Sequence, residues 1–349
     1  MTTLSYGPRP ERASEHIEID QSLPSLPQTW AGVAKLILHR FASVELQAPA
    51  TVAALQSLAG REFDIVVANE ARSLPLAFRV GGSPKIWCDL HEWAPAERTH
   101  VLSWRLLVAP FMDWVCRTYL PRVDAASTVN ESIAKLYLTD YGVTASVVRN
   151  AIAYRSDLSP SPMRDGVIRL VHSGGAVPGR NIEAIVDAVE ELGEGYTLDL
   201  FLVPSRQAEH YWRRLVERID ASTRSTLHPA VAPAELPAAL NAFDLGVYLL
   251  PPQTPNHRLM LPNKFFDFVQ ARLGIVFGPA VETDRLIHEH GLGIVASGFE
   301  PADLAEAIRG LSPDRVAGFK QATDRAAAAL SSAADVEAER DILRALSAT

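Results

Sequence analysis

The chain has 349 residues, of which 48% are hydrophobic and 21% charged, a balance normal for soluble globular proteins and long enough for two domains. Its formal net charge of −8 argues against a nucleic-acid partner, whose grip rests on phosphate neutralisation by Lys and Arg. The cysteines are Cys88 and Cys116, neither at metal-ligand spacing, which disfavours a disulfide scaffold or zinc site and fits a cytoplasmic protein.

Taken in chain order, the residues begin "MTTLSYGPRPERASEH", with no apolar signal-peptide core. Apolar runs then alternate with helical patterns, the mark of parallel α/β architecture. The first half predicts strands near 2–6, 63–68, 85–89, 124–128 and 145–149, and helices near 30–45, 50–60, 71–80, 98–119 and 130–140. Within the fourth helix, "VLSWRLLVAPFMDWVC" (101–116) carries Arg105, Pro110 and Asp113 and is too short and polar to span a bilayer. Trp104, Leu107, Val108, Phe111 and Trp114 fall near one face, with Arg98, Arg105 and Arg117 nearby. That stripe suits peripheral membrane contact toward a lipid-linked acceptor, or core packing, and packing is the expectation.

Residues 150–166, "NAIAYRSDLSPSPMRDG", read as an interdomain linker. Beyond it, strands are predicted near 167–172, 197–203, 225–228, 244–250, 274–278 and 293–296, with helices between. After Gly179, Ile182, Ile185, Val186, Val189 and Leu192 recur on one helical face. From Ala317 on the chain is Ala-rich and helical by propensity. The expectation is two Rossmann-like domains facing across a cleft, with chemistry in the loops that follow strands.

After the strand ending at His172 comes "SGGAVPGRN", where Gly174 and Gly175 let the backbone approach a phosphate and Arg180 can clamp it. After 85–89 comes "DLHEW", placing His91 and Glu92 at a strand's end as a polar centre or as a helix cap. After 244–250 a proline-rich loop leads into "LPNKFFDFVQARLGIV" (261–276). Asn263 and Asp267 lie one turn apart there, with Lys264 between them. A Lys in the first turn opposes the helix dipole, which favours an anion-binding reading over a plain helix start.

The ordered set of segments resembles retaining glycosyltransferases of the GT-B fold, the family-four or group-one type, over most of the chain. "FDIVVANEARSLPLAFRV", "WCDLHEW", "VDAASTVNESIAKLYLTDYGVTASVVRNA", "GRNIEAIVDAV", "AELPAALNAFDLGVYLL", "LPNKFFDFVQARLGIV" and "HGLGIVASGFEPADLAEAI" follow in the family's order. The resemblance implies an acceptor-side domain over 1–152, a nucleotide-sugar domain over 153–330 and a C-terminal helix, 331–349, packing back on the first. It implies a nucleotide-sugar substrate with no cofactor and no metal, and an acceptor that is a small molecule, glycan or lipid-linked glycan. Arg180 and Lys264 would meet the diphosphate, Asp267 the ribose, and His91 the region of donor sugar and acceptor. The chain departs from the pattern at Leu259, where the family has its first Glu, at Asp267 in place of the second, and at Arg272 and Gly274. The first glycine-rich loop is shortened to "SYGPRP". The rival readings are a sugar-nucleotide epimerase and a non-catalytic nucleotide-sugar or glycan-binding protein of the same fold.

Overall fold

The computed structural model describes residues 1–164, 166–205 and 208–348. The chain divides into two compact units. One is Met1–Val148 together with the residues from Ala338 on; the other is Arg149–Glu337.

The strands of the first unit are β1 (Thr2–Tyr6), β2 (Glu15–Ile19), β3 (Ile65–Asn69), β4 (Lys85–Leu90), β5 (Ala125–Thr128) and β6 (Ser146–Val147). The last four form a parallel sheet in sequence order, β3-β4-β5-β6. The strand expected near 2–6 is present, but it lies outside this sheet. It pairs in parallel with β2, an element the sequence reading lacked, in a separate two-stranded ladder. Three predicted helices are shorter than expected, residues 71–80 giving only a tight turn at Ala71–Ser73 and one helical turn at Leu74–Ala77. Residues 30–45 yield a helix over Trp30–Ile37 and a tight turn at Phe41–Ser43. Residues 98–119 yield a wide turn at Trp104–Val108 and a helix over Ala109–Tyr119, where Pro110 is tolerated in the first turn. The last helix, Ala333–Ser347, sends Ile342 and Leu346 into a buried cluster with Trp87 and Val148 of the first unit.

The strands of the second unit are β7 (Ile168–Ala176), β8 (Tyr196–Pro204), β9 (Ser225–His228), β10 (Leu245–Tyr248), β11 (Gly274–Phe277) and β12 (Gly293–Val295). All pair in parallel, in the order β12-β11-β10-β7-β8-β9. Strand order thus runs outward from β7 on one side and from β10 on the other, the doubly wound Rossmann arrangement. The strands β10 and β11 are buried on both faces, which is why they read as unbroken apolar runs. The helix Ile182–Leu192 buries Ile182, Ile185, Val186, Val189 and Leu192, as its period predicts.

The stretch 150–166 is not a free linker where it passes the second unit. Arg155 N–H donates to Gln270 Oε1 (3.1 Å), its carbonyl accepts from Arg272 (2.7 Å), and Ser161 Oγ donates to the Asn241 carbonyl (2.6 Å). Arg272 has a structural role. It is fully buried, adopts φ 61°, and its guanidinium also meets Asp324 (2.6 Å) and the Gln270 carbonyl (2.8 Å). At Gly274 a Cβ would come within 2.8 Å of Leu245 and 3.1 Å of Phe319, so only glycine fits.

Candidate active site

In open parallel sheets ligands bind beyond the carboxyl ends of strands, where strand order reverses. In the second unit that point lies between β7 and β10. Arg180 follows β7, and the helix Asn263–Gln270, which carries Lys264 and Asp267, follows β10. The helix forms because Phe265, Phe266, Phe268 and Val269 supply a continuous buried face. The sequence suggests Pro262 as the first helical residue; it is the N-cap instead, and the helix begins one position later, at Asn263.

The sequence pattern places Gly174 and Gly175 in a loop, but β7 runs on to Ala176 and both pair with β8, opposite Leu202 and Val203. The two glycines differ in need. Gly174 has φ 131°, and a Cβ there would overlap Lys264 Nζ. A Cβ on Gly175 would make an ordinary 3.6 Å contact with Val177. Gly174 therefore leaves room for the lysine as well as for backbone approach.

Lys264 Nζ lies 5.1 Å from the centroid of the Tyr248 ring. Burial pushes its pKa down to about 8, with Arg180 adding repulsion and Asp267 opposing the shift. Asp267 is pushed up to about 6 by burial, against the attraction of Lys264. Neither side chain makes a hydrogen bond or a close ion pair with another described residue. Lys264 and Asp267 are thus held half-buried without a hydrogen-bonded partner, as suits groups whose partners come from a ligand. Burial raises the Tyr248 pKa, and Arg180, which interacts with the hydroxyl, opposes that rise. Asn263 is exposed at the helix start.

The sequence reading missed Tyr248 and His172. Tyr248 closes β10 and stacks on the His172 ring at 6.0 Å. His172 is fully buried, and its Nδ1 meets the Val247 carbonyl at 2.9 Å. Burial drives its pKa down to about 3, with Lys264 and Arg180 adding repulsion, so the ring is neutral and donates from Nδ1. Neither residue carried a sequence signal, since both sit inside apolar strand runs.

In the first unit the polar centre sits at the carboxyl ends of β3, β4 and β5. Asp89 and Ser127 are cross-strand partners. Ser127 Oγ donates to Asp89 Oδ1 (2.5 Å) and accepts from Trp87 Nε1 (2.8 Å). The other Asp89 oxygen meets His91 Nε2 at 2.9 Å. This bond is the main reason the His91 pKa is raised, with burial opposing it. Burial works against an ionised Asp89, but the bonds from His91 and Ser127 outweigh it and hold the carboxyl below the usual range. His91 Nδ1 lies 4.0 Å from Glu70 Oε1. Withdrawal from water pushes Glu70 up to about 7, with Glu97 and Glu92 adding repulsion and His91 and Arg72 opposing it. Glu92 is half-buried and presents its carbonyl to the Tyr137 hydroxyl (2.8 Å). Glu70 is the acidic group that the sequence reading missed. It follows β3 directly and holds φ 69°, a conformation non-glycine residues rarely adopt.

Leu259 caps the short helix Pro255–Arg258 and is half-buried. Among the described residues no group of His, Cys, Asp and Glu is arranged to hold a metal ion. Cys88 and Cys116 are buried thiols. A cavity of about 520 Å³ opens at the amino ends of β7, β8 and β9, lined by Arg169, Thr197, Asp199, Arg224 and Phe243 among others. It lies at the wrong end of the sheet for the switch-point site.

No family model and no curated protein matches the sequence. Solved structures do. TarM of S. aureus, determined as a variant with fondaparinux, α-GlcNAc-glycerol and UDP, aligns at TM-score 0.66 and 12% identity, over 84% of this chain and 59% of that one. HepE of Anabaena with UDP-glucose aligns at TM-score 0.65 and 15% identity, over 86% and 83% of the two chains. Sucrose-phosphate synthase of Thermosynechococcus elongatus aligns at TM-score 0.70 and 15% identity, over 95% and 83%. The fold is GT-B. Within the GT-B fold the chain spans about 59% of the length of TarM but 83% of both HepE and sucrose-phosphate synthase.

Proposed function

We propose that this protein transfers a sugar from a nucleoside-diphosphate donor to an acceptor hydroxyl, with retention and without a metal. The observation that carries the reading is the half-buried pair Arg180 and Lys264, with Asp267 beside it, at the switch point of a Rossmann-ordered sheet. The cations neutralise the diphosphate and stabilise it as it departs, the role a metal would otherwise fill. Asp267 accepts hydrogen bonds from the ribose hydroxyls. The departing phosphate takes the acceptor's proton, so catalysis rests on positioning and charge stabilisation. His91, oriented by Asp89, hydrogen-bonds sugar or acceptor hydroxyls.

UDP is the first nucleotide to test, because TarM and HepE were solved with UDP or UDP-glucose. A thermal-shift panel of UDP, GDP, ADP and TDP should single out one. A ligand at about 100 times its dissociation constant stabilises by about 2.7 kcal/mol. Arg180→Met should weaken that diphosphate far more than the bare nucleoside, since only the former bears the charge. No shift with any of the four, or equal loss for both ligands, overturns the assignment.

Leu259, in place of a family Glu, favours one rival: a donor-binding protein that does not turn over. Nucleotide binding with neither sugar transfer nor donor hydrolysis would select it.

A further inference from the structure

The first unit carries an apolar surface that its own fold does not cover. Trp30 is 93% exposed, and Ile37, Leu38, Val101, Leu102 and Leu106 are between 40% and 65% exposed. They lie on and beside two segments that pack together, the helix Trp30–Ile37 and the turn Trp104–Val108. The expected stripe itself is mostly core: Trp104, Val108 and Phe111 are buried. The exposed residues are the alternate set, joined by a second segment that the sequence reading did not connect. Single exposed apolar residues are ordinary, but a group gathered on two adjoining segments marks an interaction surface.

The charge around this group is one-sided. Residues 30–44 and 98–108 contain Lys35, Arg40, Arg98 and Arg105, with His39 and His100, and no Asp or Glu. The whole chain is −8, so this excess is local. At the margins Glu97 is paired with Arg72 at 2.9 Å and Glu45 with Arg79 at 3.2 Å. A second copy docking symmetrically here would set the remaining cations against themselves, the marginal acids being already paired. A surface of negative charge over hydrocarbon answers both features: cations to headgroups, Trp and Leu to the acyl boundary. Among the described residues no helix is long and apolar enough to cross a membrane, so such contact would be in-plane.

We propose that the surface formed by Trp30, Ile37, Leu38, Val101, Leu102 and Leu106, with its basic rim, docks on anionic lipid bilayers. The inference does not depend on donor binding.

Co-sedimentation of the full chain with vesicles tests it. The protein should pellet with phosphatidylcholine–phosphatidylglycerol vesicles and much less with phosphatidylcholine alone. Raised salt should release it, because headgroup attraction is screened. Trp30→Ser combined with Leu106→Ser should cut partitioning by about tenfold or more, since each loses the burial of a large apolar side chain. Arg40→Gln with Arg105→Gln should abolish the preference for anionic lipid while leaving circular dichroism and melting unchanged. Wild-type protein that ignores anionic vesicles, or folded variants that bind as before, would overturn the proposal. So would a dimer in solution that the Trp30 and Leu106 changes convert to monomer.

Discussion

Gly174 and Lys264 are fitted to one another: a Cβ on residue 174 would overlap Lys264 Nζ and lie 2.7 Å from its Cε. The lysine amine occupies the space that a side chain on β7 would fill. Gly174→Ala should therefore push Lys264 off the switch point and strain a backbone held at φ 131°. Nucleoside diphosphate affinity should drop by about tenfold or more. Gly175→Ala is the control, and calorimetry should find it near wild type. Equal effects at the two glycines would mean the fit to Lys264 is not what matters.

Lys264 is held against its folding interest. Its pKa falls from 10.5 to about 8, chiefly through burial, so the charged form costs the fold stability. For a depressed lysine the stability is full above its unfolded value and lost as pH falls through the folded one. The loss thus runs between about 10.5 and about 8 and is complete at neutral pH. Lys264→Met should stabilise the fold at pH 7 by at most about 3 kcal/mol, less what solvent at the half-buried amine restores, and so raise the melting temperature. The same change should remove diphosphate binding. A variant that melts lower and still binds would contradict both halves.

Asp267 gives the mirror case. Its pKa is raised from 3.8 to about 6 by burial, so its contribution is present at low pH and lost as pH rises through about 6. Asp267→Asn should be more stable than wild type above pH 6 and should bind nucleoside diphosphate about tenfold more weakly, having lost charged acceptors for the ribose. Wild-type affinity should fall more steeply than that of the Asn variant as pH drops from 7 to 5, a range in which Lys264 stays charged and Asp267 is neutralised. Titration calorimetry at pH 5 and 7 reads both slopes.

Much of this was legible in the sequence, and what was not has identifiable causes. Arg180, Lys264 and Asp267 stood out because each is polar and follows a strand-like run. The strands β7 to β12 showed themselves as short apolar runs between helices, and Ile182 to Leu192 as a clean helical period. Pairing was not legible: Thr2–Tyr6 reads as a strand whether it joins the main sheet or β2. Nor was the reach of β7 through Gly174 and Gly175, because glycine favours turns locally and only β8 holds it extended. Tyr248 and His172 hid in apolar runs. Glu70 depends on a positive φ that no residue type announces.

His91 takes its character from Asp89, at 2.9 Å. Its raised pKa means that its share of stability is present below pH 6.5 and lost as pH climbs through the folded value. Asp89→Asn should bring that value down toward 6.5, which NMR of the imidazole can follow. His91→Ala should lower kcat by about 100-fold, roughly 2.7 kcal/mol of transition-state stabilisation, with nucleoside diphosphate affinity little changed. A folded variant with ordinary turnover would reduce His91 to a polar residue at a strand's end.

The last helix has a consequence for biosynthesis. Ile342 and Leu346 sit in one buried cluster with Trp87 and Val148, so the first unit draws part of its core from residues made roughly two hundred positions after Val148. A nascent chain cannot complete that unit when its sheet emerges from the ribosome. The second unit is continuous from Arg149 to Glu337, so all of its residues are made before the last pieces of the first unit's core. Trp87 lacks that part of its cover until Ile342 and Leu346 have been made.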